Sequence, residues 1–308
     1  MILLCGIPTE TPLAMVRAQL DELGAPYVLF NQRRFAEAEV ELEVVKGRVS
    51  GRFRLNGDRY ALADFGGIYS RMMDYRFLPE LKNEPPASPK HLHCRNLLDT
   101  LTRWAEIAPA RVVNRIAPTT SNFSKPYQSQ LIRKYGFEVP ETLITNNPDL
   151  VRAFRARHGQ IIYKSISGVR SIVQTFKDED MARLDLIRWC PTQFQAFVPG
   201  TNVRVHTVGR EVFATAISTE ATDYRYASKQ TGDPAALREV ELADELAEMC
   251  INLAAGLGLA FAGIDLKITP DRRIFCFEVN PSPAFSYYES HTGQPIARAV
   301  AQYLASTD

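Results

Sequence analysis

The chain has 308 residues, of which 45% are hydrophobic and 23% charged, proportions that exclude a disordered polyelectrolyte. A set of 36 basic and 35 acidic residues leaves a formal net charge of +1, so bulk charge favours neither a nucleic acid nor a membrane surface as partner. At roughly 150 residues per domain the length allows about two domains, with core enough to need no disulfide or structural metal.

The first residues, Met1 to Pro8, are apolar but lack a basic flank and a small-residue cleavage site, so they read as a strand over 2–5 and not as a signal peptide. Gly6-Ile7-Pro8-Thr9 is a turn. Leu13, Val16, Leu20 and Leu23 recur at helical spacing over 12–23, and Gly24 ends that helix. A second strand over 27–30 completes a parallel β-α-β opening, without the G-x-G-x-x-G of a dinucleotide site. Residues 40–65 read as short strands with a turn at Asn56-Gly57, and 66–71 as a strand ending in Arg71. Residues 79–90 are broken by Pro79, Pro85, Pro86 and Pro89. A helix over 91–107 and a strand over 112–114 lead to a first boundary.

Further helices are predicted over 126–135, between Pro126 and Gly136, and over 148–157. Strands at 161–166 and 171–176 flank the tight loop Ser167-Gly168-Val169-Arg170. Segments 193–198, 202–208 and 211–217, separated by Pro199-Gly200 and Gly209-Arg210, read as an antiparallel meander. A helix over 234–257, a hairpin of 262–268 with 274–280, and a helix over 295–305 finish the chain. The five cysteines are odd in number, widely spaced and free of C-x-x-C, which points to a reduced, cytoplasmic setting. No apolar run reaches the length of a membrane span.

The hairpin is the most informative stretch. With its turn centred between Asp271 and Arg272, Asp265 faces Glu278 across the strands, and Asn280 shares a face with Glu278. Like charges opposed in a sheet repel. A divalent cation resolves the conflict, and an all-oxygen donor set suits Mg²⁺ or Mn²⁺ better than zinc. The other reading is a surface edge with solvated acids, which the flanking Ile264, Phe275 and Phe277 disfavour.

Two lysines stand in costly places. Lys164 shares a strand face with Ile162 and Ile166; it reads either as a phosphate ligand, helped by backbone N–H groups of Ser167-Gly168, or as an edge lysine reaching water. Lys125 opens a helix, where a cation opposes the helix dipole. Asn202, Arg204 and His206 share one face of their strand. His91, His93 and Cys94 lack a second ligand pair and read as a helix start, and neither a P-loop nor a nucleophile elbow occurs. Gly6 to Thr11 and Arg71 lie at strand ends that could line a substrate cleft.

Gly263-Ile264-Asp265-Leu266 followed by Phe277-Glu278-Val279-Asn280-Pro281-Ser282-Pro283 resembles the metal-binding signature of the ATP-grasp superfamily. The pattern is most similar to the branch of ribosomal-protein glutamate ligases and of the maturases of microviridin-type (graspetide) peptides. The resemblance covers residues 112–308 in motif order and 1–111 only loosely. It implies an α/β ATP-grasp fold: a pre-ATP-grasp α/β domain over 1–113, a small lid over 114–190 and a catalytic lobe over 191–308. It implies that Asp265, Glu278 and Asn280 hold two Mg²⁺ ions on ATP, with Mn²⁺ as a substitute, and that Lys125, Lys164, Ser167 and Gly168 bind the nucleotide. By the same resemblance Gln195, Phe197 and Val198 hold adenine, Arg204 neutralises the transferring phosphoryl group with Lys164 beside it, and Arg225 of Asp223-Tyr224-Arg225 binds the acyl phosphate or the acceptor. Arg225 equally reads as a surface loop residue. A glycine-rich loop is usual after the lysine, and here Gly168 stands alone.

The implied reaction is ATP-dependent ligation of a carboxylate to an amine or hydroxyl through an acyl phosphate, on an amino acid or a peptide. The alternatives are a non-catalytic ATP-binding or scaffold protein and an ATP-grasp phosphotransferase. No nucleic acid or membrane partner is expected, and a homodimer is among the allowed assemblies.

Overall fold

Alternation along the first strand sets the architecture of the N-terminal part. In the computed structural model, which describes residues 1–166, 172–219, 232–233 and 235–306, β1 (Ile2–Gly6) is followed by α1 (Thr11–Glu22) and β2 (Tyr27–Asn31). Next come β3 (Glu39–Val45), β4 (Arg48–Leu55), β5 (Asp58–Ala61), β6 (Gly67–Ser70), α2 (Pro89–Ile107) and β7 (Arg111–Val113). Strands β2-β1-β6-β7 form a parallel sheet, and β3-β4-β5 an antiparallel one. Ile2 and Leu4 share a core with Leu13 and Val16 of α1, whereas Leu3 and Cys5 point to Leu97, Leu101 and Trp104 of α2. Each such fully buried Leu contributes about 2 kcal/mol.

The chain continues through α3 (Ile116–Thr119), α4 (Lys125–Lys134), β8 (Thr142–Thr145), α5 (Pro148–His158), β9 (Ile161–Ser165), β10 (Gln174–Thr175) and β11 (Thr192–Ala196). Then follow β12 (Thr201–Val208), β13 (Glu211–Ser218), β14 (Ala236–Val240), α6 (Asp244–Gly256), β15 (Phe261–Ile268), β16 (Ile274–Asn280), α7 (Ser286–Thr292) and α8 (Ile296–Ala305). One sheet has the order β10-β9-β11-β8 and another the order β14-β13-β12-β15-β16. The last helix packs back on the first sheet: Ile296, Val300 and Leu304 share the core of Ile2 and Leu4.

The structure corrects several expectations. The predicted meander is split, because β11 pairs with β8 and β9 while β12 pairs with β13 and β15. The Pro199-Gly200 turn carries the chain between the two sheets. Gly200 is required there: its φ is +140°, and a Cβ would lie 2.3 Å from the carbonyl oxygen of Ile268. The helix expected over 234–257 begins only at Asp244. Ala236–Val240 instead forms β14 on the edge of β13, with Leu237 packed near Ile217 and Tyr288, so a tertiary ladder overrides local helix propensity. Of the strand expected over 171–176, the described residues form Gln174–Thr175, and residues 167–171 and 220–231 lie outside the described residues. Helix α7 was not anticipated. Among the described residues no helix is long and apolar enough to cross a membrane.

Candidate active site

Asp265 does face Glu278, by a route the sequence did not reveal. At the turn end the hairpin pairs Ile268 with Ile274, Lys267 with Phe275 and Leu266 with Cys276, a register centred on Asp271 alone. Continued, it would set Asp265 against Phe277. A β-bulge absorbs one residue of β16, and beyond it Asp265 pairs with Glu278, Ile264 with Val279 and Gly263 with Asn280. The bulge is held from both sides. Toward the turn, Cys276 N–H donates to the carbonyl of Glu138 at 2.8 Å. On the far side the side chain of Gln128 on α4 clamps Val279, donating to its carbonyl at 2.8 Å and accepting its N–H at 3.0 Å. Phe277 and Glu278 lie between these two fixed points.

The opposed acids are each given their own cation. Arg204 donates from Nη1 to Asp265 Oδ1 at 2.8 Å, and its side chain is only 6% exposed. Lys125 Nζ donates to Glu278 and, at 2.8 Å, to Asn122 Oδ1. This corrects the argument that repulsion alone demands a metal, because side-chain cations already offset it. Lys125 therefore sits at its helix start because its partner is an acid 153 residues away, not for the sake of the helix.

Arg204 is fixed on its other sides as well. Its guanidinium lies 5.6 Å from the ring centre of Tyr288, and its Nε is 3.5 Å from His206 Nε2. His206 is fully buried; burial first, and Arg204 second, hold its imidazole well below the ordinary 6.5, so it stays neutral and able to accept. Gly263 is the residue opposite His206, and a Cβ there would lie 2.2 Å from Arg204 Nη2. The absent side chain makes the bed for the guanidinium.

Sequence reasoning missed three supports. Gln128 is one; its signal was an amide on the same face of α4 as the buried Ile132, four residues on. Asn114 is another. Its Nδ2 donates to the carbonyls of Phe261 and Pro281, each at 2.6 Å, and its Oδ1 accepts from Phe261 N–H at 3.0 Å, tying the start of β15 to the end of β16. Arg71, weighed only as a cleft residue, joins the first sheet to the metal-signature loop: it pairs with Glu10 and donates to Ser282 Oγ at 2.7 Å, while Ser282 N–H donates to Asn280 Oδ1 at 3.0 Å.

The acids open onto a cleft between the β8–β11 and β12–β16 sheets. Its lining includes Ile162, Lys164, Gln195, Phe197, Val198, Asp265 and Glu278. A second cavity of about 420 Å³ adjoins it and shares Lys164, Gln195 and Phe277, with Lys125 on its wall. Lys164 is half-buried and paired in register with Gln193 on β11. Gln195 is buried and donates to Thr142 Oγ1 at 3.0 Å; Phe197 N–H donates to the carbonyl of Gln160 at 3.0 Å. The fold thus brings Lys125, Lys164, Gln195, Phe197, Val198, Arg204, Asp265, Glu278 and Asn280 to one region. Ser167, Gly168 and Arg225 lie outside the described residues. His91, His93 and Cys94 are remote from the cleft: His93 Nε2 lies 3.2 Å from the carbonyl oxygen of Phe35, and Cys94 is buried in the α2 core.

Among the described residues no group of three His, Cys, Asp or Glu is poised to hold a metal. The donor set here is two carboxylates and an amide oxygen, a hard all-oxygen set that fits Mg²⁺ with further ligands from a phosphate or water.

The profile of the RimK-like ATP-grasp domain matches residues 123–304. A probable alpha-L-glutamate ligase of Shewanella pealeana is 24% identical over 220 residues, which span 66% of this chain and 46% of that protein. Another, from Parasynechococcus marenigrum, is 25% identical over 217 residues, spanning 66% of this chain and 45% of its own length. The chain thus matches about half the length of these curated relatives. Among solved structures, a RiPP-associated ATP-grasp ligase of Chryseobacterium gregarium in complex with ADP and a leader and core peptide aligns with a TM-score of 0.82 at 22% identity, over 98% of this chain and 96% of that one. The macrocyclase MdnC of Microcystis aeruginosa, bound with precursor peptide MdnA, aligns with a TM-score of 0.78 at 22% identity, over 99% of both chains. These likenesses extend the shared fold across the N-terminal residues that the sequence motifs left loosely matched. With the profile spanning more than half of the chain and every described motif residue falling inside it, the protein belongs to the RimK-like ATP-grasp family.

Proposed function

We propose that the protein is an ATP-dependent ligase that activates a carboxylate as an acyl phosphate and joins it to an amine or a hydroxyl, with an amino acid or a peptide as substrate. The observation that carries this reading is the row Arg204–Asp265–Glu278–Lys125, two acids and two cations brought to one cleft floor. A scaffold that only bound nucleotide would not need a buried arginine pinned by His206, Tyr288 and a glycine. Peptide substrates are supported by the aligned structures, whose proteins are described with precursor or leader and core peptides.

In this reading Gln195, Phe197 and Val198 receive adenine, and Lys125 and Lys164 face the phosphates. Asp265, Glu278 and Asn280 hold two Mg²⁺ ions, Mn²⁺ being an acceptable substitute. Bound metal supplies charge neutralisation on the phosphate oxygens. Lys125 and Arg204, which lie against the two acids, are the cations that would face the phosphates. An oxygen of the substrate carboxylate attacks the γ-phosphorus and ADP leaves; the nucleophile then attacks the activated carbonyl carbon and phosphate leaves. The protein's part is positioning and electrostatics, and Arg204 suits it because a guanidinium is always charged and donates in a planar fork. The three lobes of this reading, expected as 1–113, 114–190 and 191–308, divide between the last two at the Pro199-Gly200 turn, because β11 pairs with β8 and β9 in the sheet that precedes it.

The test is incubation with ATP, Mg²⁺ and a panel of amino acids and of peptides rich in Asp and Glu, followed by mass analysis. Ligation gives ADP and loss of one water per bond formed. Addition of a phosphoryl group would show a phosphotransferase, and nucleotide binding without ADP release across the panel would show a binding protein.

A further inference from the structure

Lys267 is a cation of the cleft that the proposed chemistry does not use. It lies on β15 two residues past Asp265, on the same face, and lines the same cavity as Gln195, Phe197 and Asn202. Its ammonium stands 5.3 Å from the ring centre of Phe197 and 5.9 Å from that of Phe277. Both rings offer attraction without a directed acceptor. Among the described residues no carboxylate, carbonyl or hydroxyl accepts its protons. The side chain is half-buried. Three N–H donors in a partly desolvated cleft call for oxygen acceptors from a ligand.

The sheet register says which part of a ligand would bring them. Arg204 pairs with Asp265, and Asn202 pairs with Lys267. The two pairs form successive rows on one face, about 7 Å apart. The first row carries the charges suited to phosphates and metal. The second lies toward Phe197 and the strand that precedes Pro199-Gly200, where a base would sit. In a nucleotide the sugar joins base to phosphates, so it has to cross the row of Asn202 and Lys267.

Resting on the ATP reading above, we propose that Lys267, with Asn202 beside it, holds the ribose by donating to a hydroxyl oxygen, and so sets the preference for ribonucleotides over deoxyribonucleotides. Phosphate is the less suitable partner, because Lys125, Lys164 and Arg204 already serve the phosphate row.

Calorimetric titration with Mg²⁺ and ADP, 2′-deoxy-ADP or 3′-deoxy-ADP tests the proposal on wild type, Lys267→Met and Asn202→Ala. Wild type should bind ADP about tenfold tighter than one of the deoxy analogues, the size of a hydrogen bond to a charged donor. Lys267→Met should lose that factor for ADP and not for that analogue, so that discrimination disappears, and Asn202→Ala should show a smaller loss of the same kind. Unchanged ADP affinity in Lys267→Met, or an equal loss for all three ligands, would overturn the ribose contact while leaving the ATP reading standing. Wild type that binds none of the three would remove the ATP reading itself. Should Lys267→Met fail to fold in a melt without nucleotide, Asn202→Ala decides: retained discrimination at full strength contradicts the proposal.

Discussion

Replacing Gln128 by leucine removes the clamp on Val279. The side chain is fully buried and makes both of its strong hydrogen bonds to one residue, at 2.8 and 3.0 Å. Leucine fills nearly the same volume, so the loss is not a cavity; it is the N–H and the C=O of Val279 left without partners on the edge strand. Each orphaned buried group costs about 1–3 kcal/mol. Two such groups give about 2–6 kcal/mol, and water reaching the sheet edge trims this to about 2–4 kcal/mol. Urea unfolding, monitored with ligand absent, measures the shift in midpoint. Gln128→Glu keeps the acceptor for Val279 N–H and loses the donor, so it should fall between leucine and wild type. Because Val279 separates Glu278 from Asn280, the leucine variant should also need more Mg²⁺ for half-maximal nucleotide binding. A leucine variant within about 0.5 kcal/mol of wild type, with an unchanged Mg²⁺ requirement, would refute the view that this amide sets the strand beyond the bulge.

Other expectations follow from the same geometry. Gly263→Ala places a methyl group 2.2 Å from Arg204 Nη2 and should lower ADP formation by about 10²–10³-fold, the range for a misplaced charge-stabilising donor, with far-UV circular dichroism unchanged. Lys125→Met leaves Glu278 without its cation; it should weaken nucleotide binding about tenfold or more in a titration, and unaltered affinity would count against the lysine's role. His206 is neutral when folded and ordinary when unfolded, so below pH about 6.5 the unfolded chain binds the extra proton and stability falls as pH falls. His206→Phe should flatten that limb of a pH-dependent unfolding series, and an unchanged slope would exclude this histidine as its source.

Much of the site was legible because it rests on period-2 alternation. That periodicity puts Asp265, Glu278 and Asn280 on one side of a hairpin whatever encloses them. The register came out right although the turn was misplaced by half a residue, because the bulge at Phe277 restores what the true turn would have undone. A bulge has no sequence signature strong enough to read when the extra residue is a phenylalanine among other apolar residues. The clamps were invisible for a different reason: Gln128 reaches a partner 151 residues away and Asn114 one 147 residues away, and alternation says nothing about contacts at that range. The stretch Ala236–Val240 was misread as helix because its strand character comes from β13 and not from its own residues. The alternation that places Asp265 places Lys267 on the same face too, but a lysine on a strand carries no signal of its own, since it reads equally as a side chain reaching water.

In the proposed reaction the acids at 265 and 278 carry the metal of a bound nucleotide. Titration of a nonhydrolysable ATP analogue, with and without Mg²⁺, into wild type and Asp265→Asn/Glu278→Gln tests this most directly. Binding to wild type should be strengthened by Mg²⁺, and the double variant should lose that enhancement while remaining folded. A double variant that binds the Mg²⁺ complex as tightly as wild type would contradict the assignment.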